Sequence, residues 1–526
     1  MRTREEDTFG LRLLKEGRKS IFRMIFSRTG LISGMLIFNF LLLFAAFFWL
    51  EDFLPHIYGG TALFILIMVF VLFNTPMEPT AKLTWLALIM LMPVFGCLFF
   101  LYTKHDLGHR AMVRQWKKVS KEGNVELASN TDAERTLGIV DSGAAAMARY
   151  VGSTGRYPVY TNTQVQYFPT GKEKFQALLT ELNKAERFIF LEYFIIEEGY
   201  MWGKILELLA QKAAQGVEVR VMYDGTCEFA LLPKSYPKKL KALGIQCRVF
   251  APVAPFISTH YNYRDHRKIV VIDGRTAFTG GINLADEYIG RKPKFGDWKD
   301  TAVMLRGEAA NSFTMMFLQM WAMHGGSEDL QAYLPAPPSI APHEEGFVMP
   351  YGESPLDAER TGQQIYVDIL NRAQRYVHIM TPYLILNAEV ENALTYAAKR
   401  GVQVTLILPG IPDKKIPYAL AKTHYKALLE AGVQIYEYTP GFIHAKVFVC
   451  DDWEAVVGTI NLDYRSLYHH FECAAYMHSV ACISEIEKDF QETMQKCRQV
   501  TFKTHQKEPL SRKLLGYIFK VVAPLM

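Results

Sequence analysis

The chain has 526 residues, of which 50% are hydrophobic and 21% charged, and its net charge is +5. That length exceeds one ordinary core and calls for two or three domains. The charge fits an anionic membrane surface and is too weak to argue for a nucleic-acid partner. Seven cysteines are scattered with no CxxC pair, so neither a zinc site nor a disulfide framework is expected.

In chain order, the apolar excess comes first. Residues 1–104 read as a helical transmembrane region with spans at about 31–50, 57–73 and 83–102. Basic residues precede the first span (Arg12 to Arg28) and follow the last (Lys104 to Lys121). The positive-inside rule therefore puts both flanks, and the catalytic domains, in the cytoplasm. Three spans conflict with that placement unless one is re-entrant. The third, which carries Pro93 and Gly96, is the candidate. A polar connecting segment follows at 105–155.

Beyond it strands and helices alternate. Strands are predicted at 187–196, 217–225 and 245–252, around helices at 202–216 and 236–244. The order returns with strands at 375–386, 402–410 and 433–441, and helices at 389–401 and 418–432. A proline-rich linker at 334–346 separates the two runs. The class is α/β, with one domain at 156–333 and a similar one at 347–510. The tail, 511–526, has apolar residues at helical spacing beside Lys513 and Lys520. It reads either as a membrane-surface helix or as a helix packed on the domain.

Each domain carries the same pattern. "YRDHRKIVVIDGRTAFTGGIN" holds His266, Lys268, Asp273, Gly280 and Asn283. "FIHAKVFVCDDWEAVVGTIN" holds His444, Lys446, Asp451, Gly458 and Asn461, each 178 positions later. On a strand, residues two apart share a face, so each histidine and its lysine point the same way. The aspartates lie an odd number of positions on and point away, which suits local support rather than substrate contact. Brought together, two imidazoles, two ammonium groups and two carboxamides suit a phosphate. Lys268, Lys446, Asn283 and Asn461 would bind its oxygens. One histidine would attack phosphorus while the other, protonated, donates to the leaving oxygen, with no metal and no cofactor required.

This doubled motif resembles the HKD signature of the phospholipase D superfamily. With the endings "GGINLADEY" and "GTINLDYRS" and the apolar N-terminus, the whole chain is similar to the bacterial cardiolipin synthase family. The resemblance implies two tandem phospholipase D-like domains, each a mixed sheet flanked by helices, in a multi-pass protein of the bacterial inner membrane. It implies catalytic residues His266, Lys268, Asp273, His444, Lys446 and Asp451, with His266 as nucleophile and His444 as acid. It also implies an acidic residue behind each histidine, for which Glu472 and Asp300 are the candidates. The implied substrate is phosphatidylglycerol in the lipid bilayer, converted to cardiolipin and glycerol through a phosphohistidine. Two positions depart from the family pattern: Gly281 stands where serine is frequent, and His470 where asparagine is common. The alternatives are a phospholipase D-type hydrolase, a transphosphatidylase using another lipid alcohol, an HKD nuclease and a catalytically dead membrane scaffold. The apolar N-terminus argues against the nuclease, and two complete motifs argue against the scaffold.

Overall fold

A computed structural model describes residues 60–105, 107–122, 127, 130–252, 262–325, 329–334 and 345–525, with Leu41, Phe44 and Ala45 before them. The expected span at 31–50 therefore lies almost wholly outside the described residues, as do 335–344 of the expected linker. Beyond residue 59 the described chain opens with the apolar helices α1 (Gly60–Asn74), α2 (Pro79–Leu91) and α3 (Pro93–Lys104). Among the described residues no helix is long and apolar enough to cross a membrane. At 1.5 Å per residue α1 is about 22 Å long, short of a hydrocarbon core of about 30 Å. The expected third span is a correction: it is two helices. Pro93 has no amide hydrogen and disfavours helical geometry in the residue before it, so Met92 breaks out at φ −138° and ψ 78°. A Cβ on Gly96 would lie 2.8 Å from Cα of Ile89, so the two helices fold closely back on each other.

The connecting segment is helical as well, as α4 (Leu107–Glu122), α5 (Thr131–Val140) and α6 (Ser142–Gly155). The first half then contains β1 (Thr163–Phe168), α7 (Gly171–Asn183), β2 (Phe188–Tyr193), α8 (Tyr200–Ala214), β3 (Glu218–Asp224), α9 (Tyr236–Ala242) and β4 (Gln246–Phe250). It continues through β5 (Arg264–Asp265), β6 (Lys268–Ile272), β7 (Thr276–Gly280), β8 (Asp297–Lys299), β9 (Ala302–Gly307) and α10 (Ala310–Ala322). The second half has β10 (Phe347–Glu353), α11 (Thr361–Arg372), β11 (Tyr376–Met380), α12 (Ala388–Lys399), β12 (Gln403–Pro409), α13 (Lys415–Glu430) and β13 (Gln434–Tyr438). Then come β14 (Gly441–Ile443), β15 (Val447–Cys450), β16 (Glu454–Gly458), α14 (Tyr464–Tyr468) and β17 (His470–His478). The chain ends in α15 (Ile483–Met494), β18 (Cys497–Val500), α16 (Phe502–Gln506) and α17 (Leu510–Val522).

Both halves are mixed sheets of one design. The first runs β1-β9-β7-β6-β2-β3-β4, and the second β10-β17-β16-β15-β11-β12-β13-β18. In each, the three strands joined by helical crossovers are parallel, and the motif strand pairs antiparallel with the first of them. One apolar core crosses from half to half, taking in Phe190 and Val271 with Val377 and Val449. Helix α10 lies inside it, with every residue but Asn311 buried. Such a helix, apolar all round, can only be an interior element.

Two short pairings knit the halves together. β5 pairs parallel with β17, and β14 pairs parallel with β8. The single motif strand expected from the sequence is therefore interrupted. His266 and His444 sit just before β6 and β15, and their amides bond across the interface, to Phe471 O at 2.9 Å and Lys299 O at 2.7 Å. A histidine that must face the other half cannot also belong to its own half's ladder.

Candidate active site

Each aspartate of the motif lies past its strand end, in the left-handed region, at φ 53° for Asp273 and 52° for Asp451. The turn, rather than strand parity, aims these side chains. Asp273 accepts from the amides of Glu186, Arg187 and Phe188 at 2.8–2.9 Å. Asp451 does the same for Gln374, Arg375 and Tyr376 at 2.6–2.8 Å. Both thus pin the start of the neighbouring strand, β2 or β11, beside the motif strand.

The histidines meet carboxylates from the opposite half. Nδ1 of His266 lies 2.9 Å from both oxygens of Glu472 on β17, and Nδ1 of His444 lies 2.6 Å from Oδ2 of Asp300, just before β9. Glu472 and Asp300 are fully buried. An Nδ1–H held by a carboxylate leaves Nε2 with its lone pair outward and stabilises the cation when it forms. Lys268 and Lys446 each donate to the carbonyl of their own histidine, which tethers both ammonium groups beside the rings.

Burial disfavours the cation on both rings. Burial, then the charges of Lys268, His470 and Lys446, push His266 well below the usual imidazole range. Burial and Lys446 push His444 down to about 4, against which Asp300 acts to raise it. Burial takes Lys268 down to about 8 and Lys446 down to about 7, while neighbouring carboxylates oppose the change. Burial also lifts the Glu472 carboxyl well above its usual range. A buried set with this much positive charge suits an anion.

The carboxamides do less at the surface of the site than their composition suggests. Asn283 accepts from the amide of Ile195 at 3.1 Å and donates to Tyr288 Oη at 2.7 Å. Asn461 donates to Ser466 Oγ at 3.0 Å, and its Oδ1 has no partner among the described residues. Tyr288 and Ser466 stand at matching places in the repeat, a signal that aligning the two copies would have exposed. Thr459 is another such residue: its hydroxyl donates to Glu472. Its counterpart Gly281 has no room for a side chain, because a Cβ there would lie 2.1 Å from Oδ1 of Asp300. The frequent serine is excluded by the carboxylate behind His444.

Arg267, between the first histidine and lysine, carried no signal of its own, since its counterpart is Ala445. It is fully buried and donates to carbonyls of Glu472, Met316 and Glu353 at 3.1–3.4 Å. It therefore ties the first motif to α10 and to the second half. His266, His470 and Glu472 also present ligand-type atoms within 4.8 Å of one another.

Comparison with known proteins agrees with this architecture. The family model described as "Cardiolipin synthase, PLD-like domain" matches residues 178–321 and 366–494. A protein of Streptococcus mutans is 53% identical over 463 residues, covering 87% of this chain and 99% of its own. A cardiolipin synthase of Alkalihalophilus pseudofirmus is 32% identical over 502 residues, covering 93% of this chain and 98% of its own. Among solved structures, phosphatidylserine synthase of Haemophilus influenzae shares the fold, with a TM-score of 0.57 at 14% identity over 73% of this chain and 100% of the other. Two matched domains, their shared sheet order and a full-length relative thus place this chain in the cardiolipin synthase family of phosphatidyltransferases, within the phospholipase D superfamily.

Proposed function

We propose that the enzyme makes cardiolipin from two molecules of phosphatidylglycerol by double displacement at the His266–His444 pair. The observation that carries this reading is the crossed pairing of each histidine with a buried carboxylate of the other half, with a tethered lysine beside each ring. His266 Nε2 attacks the phosphorus of the donor lipid. The bond to the glycerol oxygen breaks, and His444, protonated, gives that oxygen its proton. The primary hydroxyl of the acceptor then loses its proton to His444 and attacks the phosphohistidine, which frees His266. Lys268 and Lys446 neutralise the phosphoryl oxygens, with Asn461 a further polar contact and Asn283 acting through Tyr288. Asp273 and Asp451 hold the motif strands in place. Asp300, which favours the cation on His444, supports that ring as the proton carrier and leaves His266 as the attacking member.

The lipid surface is met by the N-terminal helices and the tail. Leu63, Leu66, Phe70 and Phe73 of α1 are exposed, as are Leu514, Tyr517, Ile518 and Val521 of α17. Thr84 of α2 donates to Val521 O at 2.6 Å, which joins the two groups. In this reading these helices lie at the bilayer surface.

The test supplies purified protein in mixed micelles with phosphatidylglycerol labelled separately in headgroup and acyl chains. Cardiolipin with equimolar glycerol is expected. Phosphatidic acid with glycerol would mean that water is the acceptor and would overturn the synthase reading. His266→Ala and His444→Ala should each lower turnover by at least ~10²–10⁴-fold.

A further inference from the structure

The internal repeat relates the two histidines, but their surroundings differ. Two residues before the carboxylates Asp300 and Glu472 stand Trp298 and His470. His444 faces the Trp298 ring at 5.7 Å and the Tyr288 ring at 5.6 Å between centroids. His266 faces His470 at 5.3 Å and Phe194 at 4.9 Å. The 178-residue offset also matches Arg465 with Glu287, so a cation on one side answers an acid on the other.

His470 belongs to a chain of donors. Arg465 Nε donates to His470 Nε2 at 3.3 Å. A neutral imidazole that accepts at Nε2 carries its proton on Nδ1. That Nδ1 is buried, has no hydrogen-bond partner among the described residues, and lies 3.5 Å from Oε1 of Glu472. Glu472 is the same carboxylate that takes the Nδ1–H of His266 and the hydroxyl of Thr459.

We propose that Arg465 and His470 form a positioning relay that makes the two histidines unequal, drawing on Glu472 so that His266 stays the unprotonated, attacking member of the pair. This rests on the two-histidine reading above. A carboxylate already engaged by His266 and Thr459, with the His470 Nδ1 at 3.5 Å, stabilises a cation on His266 less, and a nearby guanidinium disfavours that cation further. Among the described residues Asp300 has no such second ring: besides His444 it accepts from the Thr301 amide at 2.8 Å. The charged and titratable groups around His266 are Lys268, Lys446, His444, His470 and Glu472, and those around His470 include Arg465, His469, Lys268 and Arg264. Removing the relay takes away influences that oppose protonation of His266, so its proton affinity must rise.

The readout is kcat/KM against pH for the full-length protein with phosphatidylglycerol in mixed micelles, whose acid limb reports the essential base of the free enzyme. His470→Phe keeps a ring for packing and removes both nitrogens. Its acid limb should move up by about one pH unit, a ~10-fold loss below the limb with little change on the plateau. Arg465→Gln, at an exposed position, should move the limb the same way by less, and the double variant should add little to His470→Phe. A lowered plateau with an unmoved limb would mean that His470 only packs, and a downward shift would reverse the assignment; either overturns the relay. Should His470→Phe fail to fold, Arg465→Gln carries the test by the same criterion. His266→Ala is run alongside: if it remains active, the two-histidine reading itself has failed, whereas an inactive His266→Ala with an unmoved limb in the relay variants discards the relay alone.

Discussion

At the scale of single residues, charge without water dominates. Lys268 and Lys446 are each 1% exposed, with ammonium groups lowered to about 8 and about 7 by burial. Unfolded lysine keeps its proton to about pH 10.4. Between about pH 7 and that value the unfolded chain binds more protons, so these groups make stability rise with pH. Phosphate binding needs the charged forms, so kcat/KM should fall as pH rises through about 7–8. Opposite slopes for activity and urea stability over that window are the expected result; parallel slopes would mean that both lysines remain charged. Asp273 is a different case. Its carboxylate serves three backbone amides, so Asp273→Asn should cost about 1–3 kcal/mol of stability. The folded remainder should turn over at near the normal rate, and a fully stable but inactive variant would place Asp273 in the chemistry.

At the scale of elements, the tail shows how one small residue fixes a helix. A Cβ on Gly516 would lie 2.4 Å from Ala419 O and 2.8 Å from Thr423 Cγ2, so α17 lies directly on α13. One side of this helix packs on the domain, and the other exposes Leu514, Tyr517 and Ile518, which is the side a membrane-surface role would use. Gly516→Val should undock α17 at a cost of about 1–3 kcal/mol, seen as faster proteolysis of the tail. Leu514→Asp with Ile518→Asp should leave the fold intact and weaken sedimentation with anionic vesicles. Unchanged vesicle binding would remove α17 from the lipid-facing surface.

At the scale of the molecule, neither half holds a complete site. Glu472 serves His266, Asp300 serves His444, and β5 and β14 each pair with the other half. Arg267 is central to this union. Its guanidinium lies among Glu192, Asp265 and carbonyls from both halves, where burial raises the Asp265 carboxyl to about 6. Removing one member of so buried a network leaves uncompensated charge, so Arg267→Ala should cost about 3–5 kcal/mol. Because one core spans both halves, the loss should appear as a single unfolding transition moved to lower denaturant. Two separate transitions would show that the halves unfold independently.

The α/β class, the repeat, the alternating strands and helices around it, and the motif residues were all legible along the chain, because periodicity and a fixed offset are local properties. The resemblance to the family, rather than any local pattern, pointed to Glu472 and Asp300 as acids behind the histidines. Which acid serves which histidine was decided only by tertiary structure, since the crossing depends on β5 and β14 leaving their own sheets. The same holds for the left-handed turns that aim Asp273 and Asp451, for the space at Gly281 that Asp300 occupies, and for the break at Met92 that divides an apolar run into two helices. Each of these rests on what lies within a few ångströms in space, and residues far apart along the chain supply it.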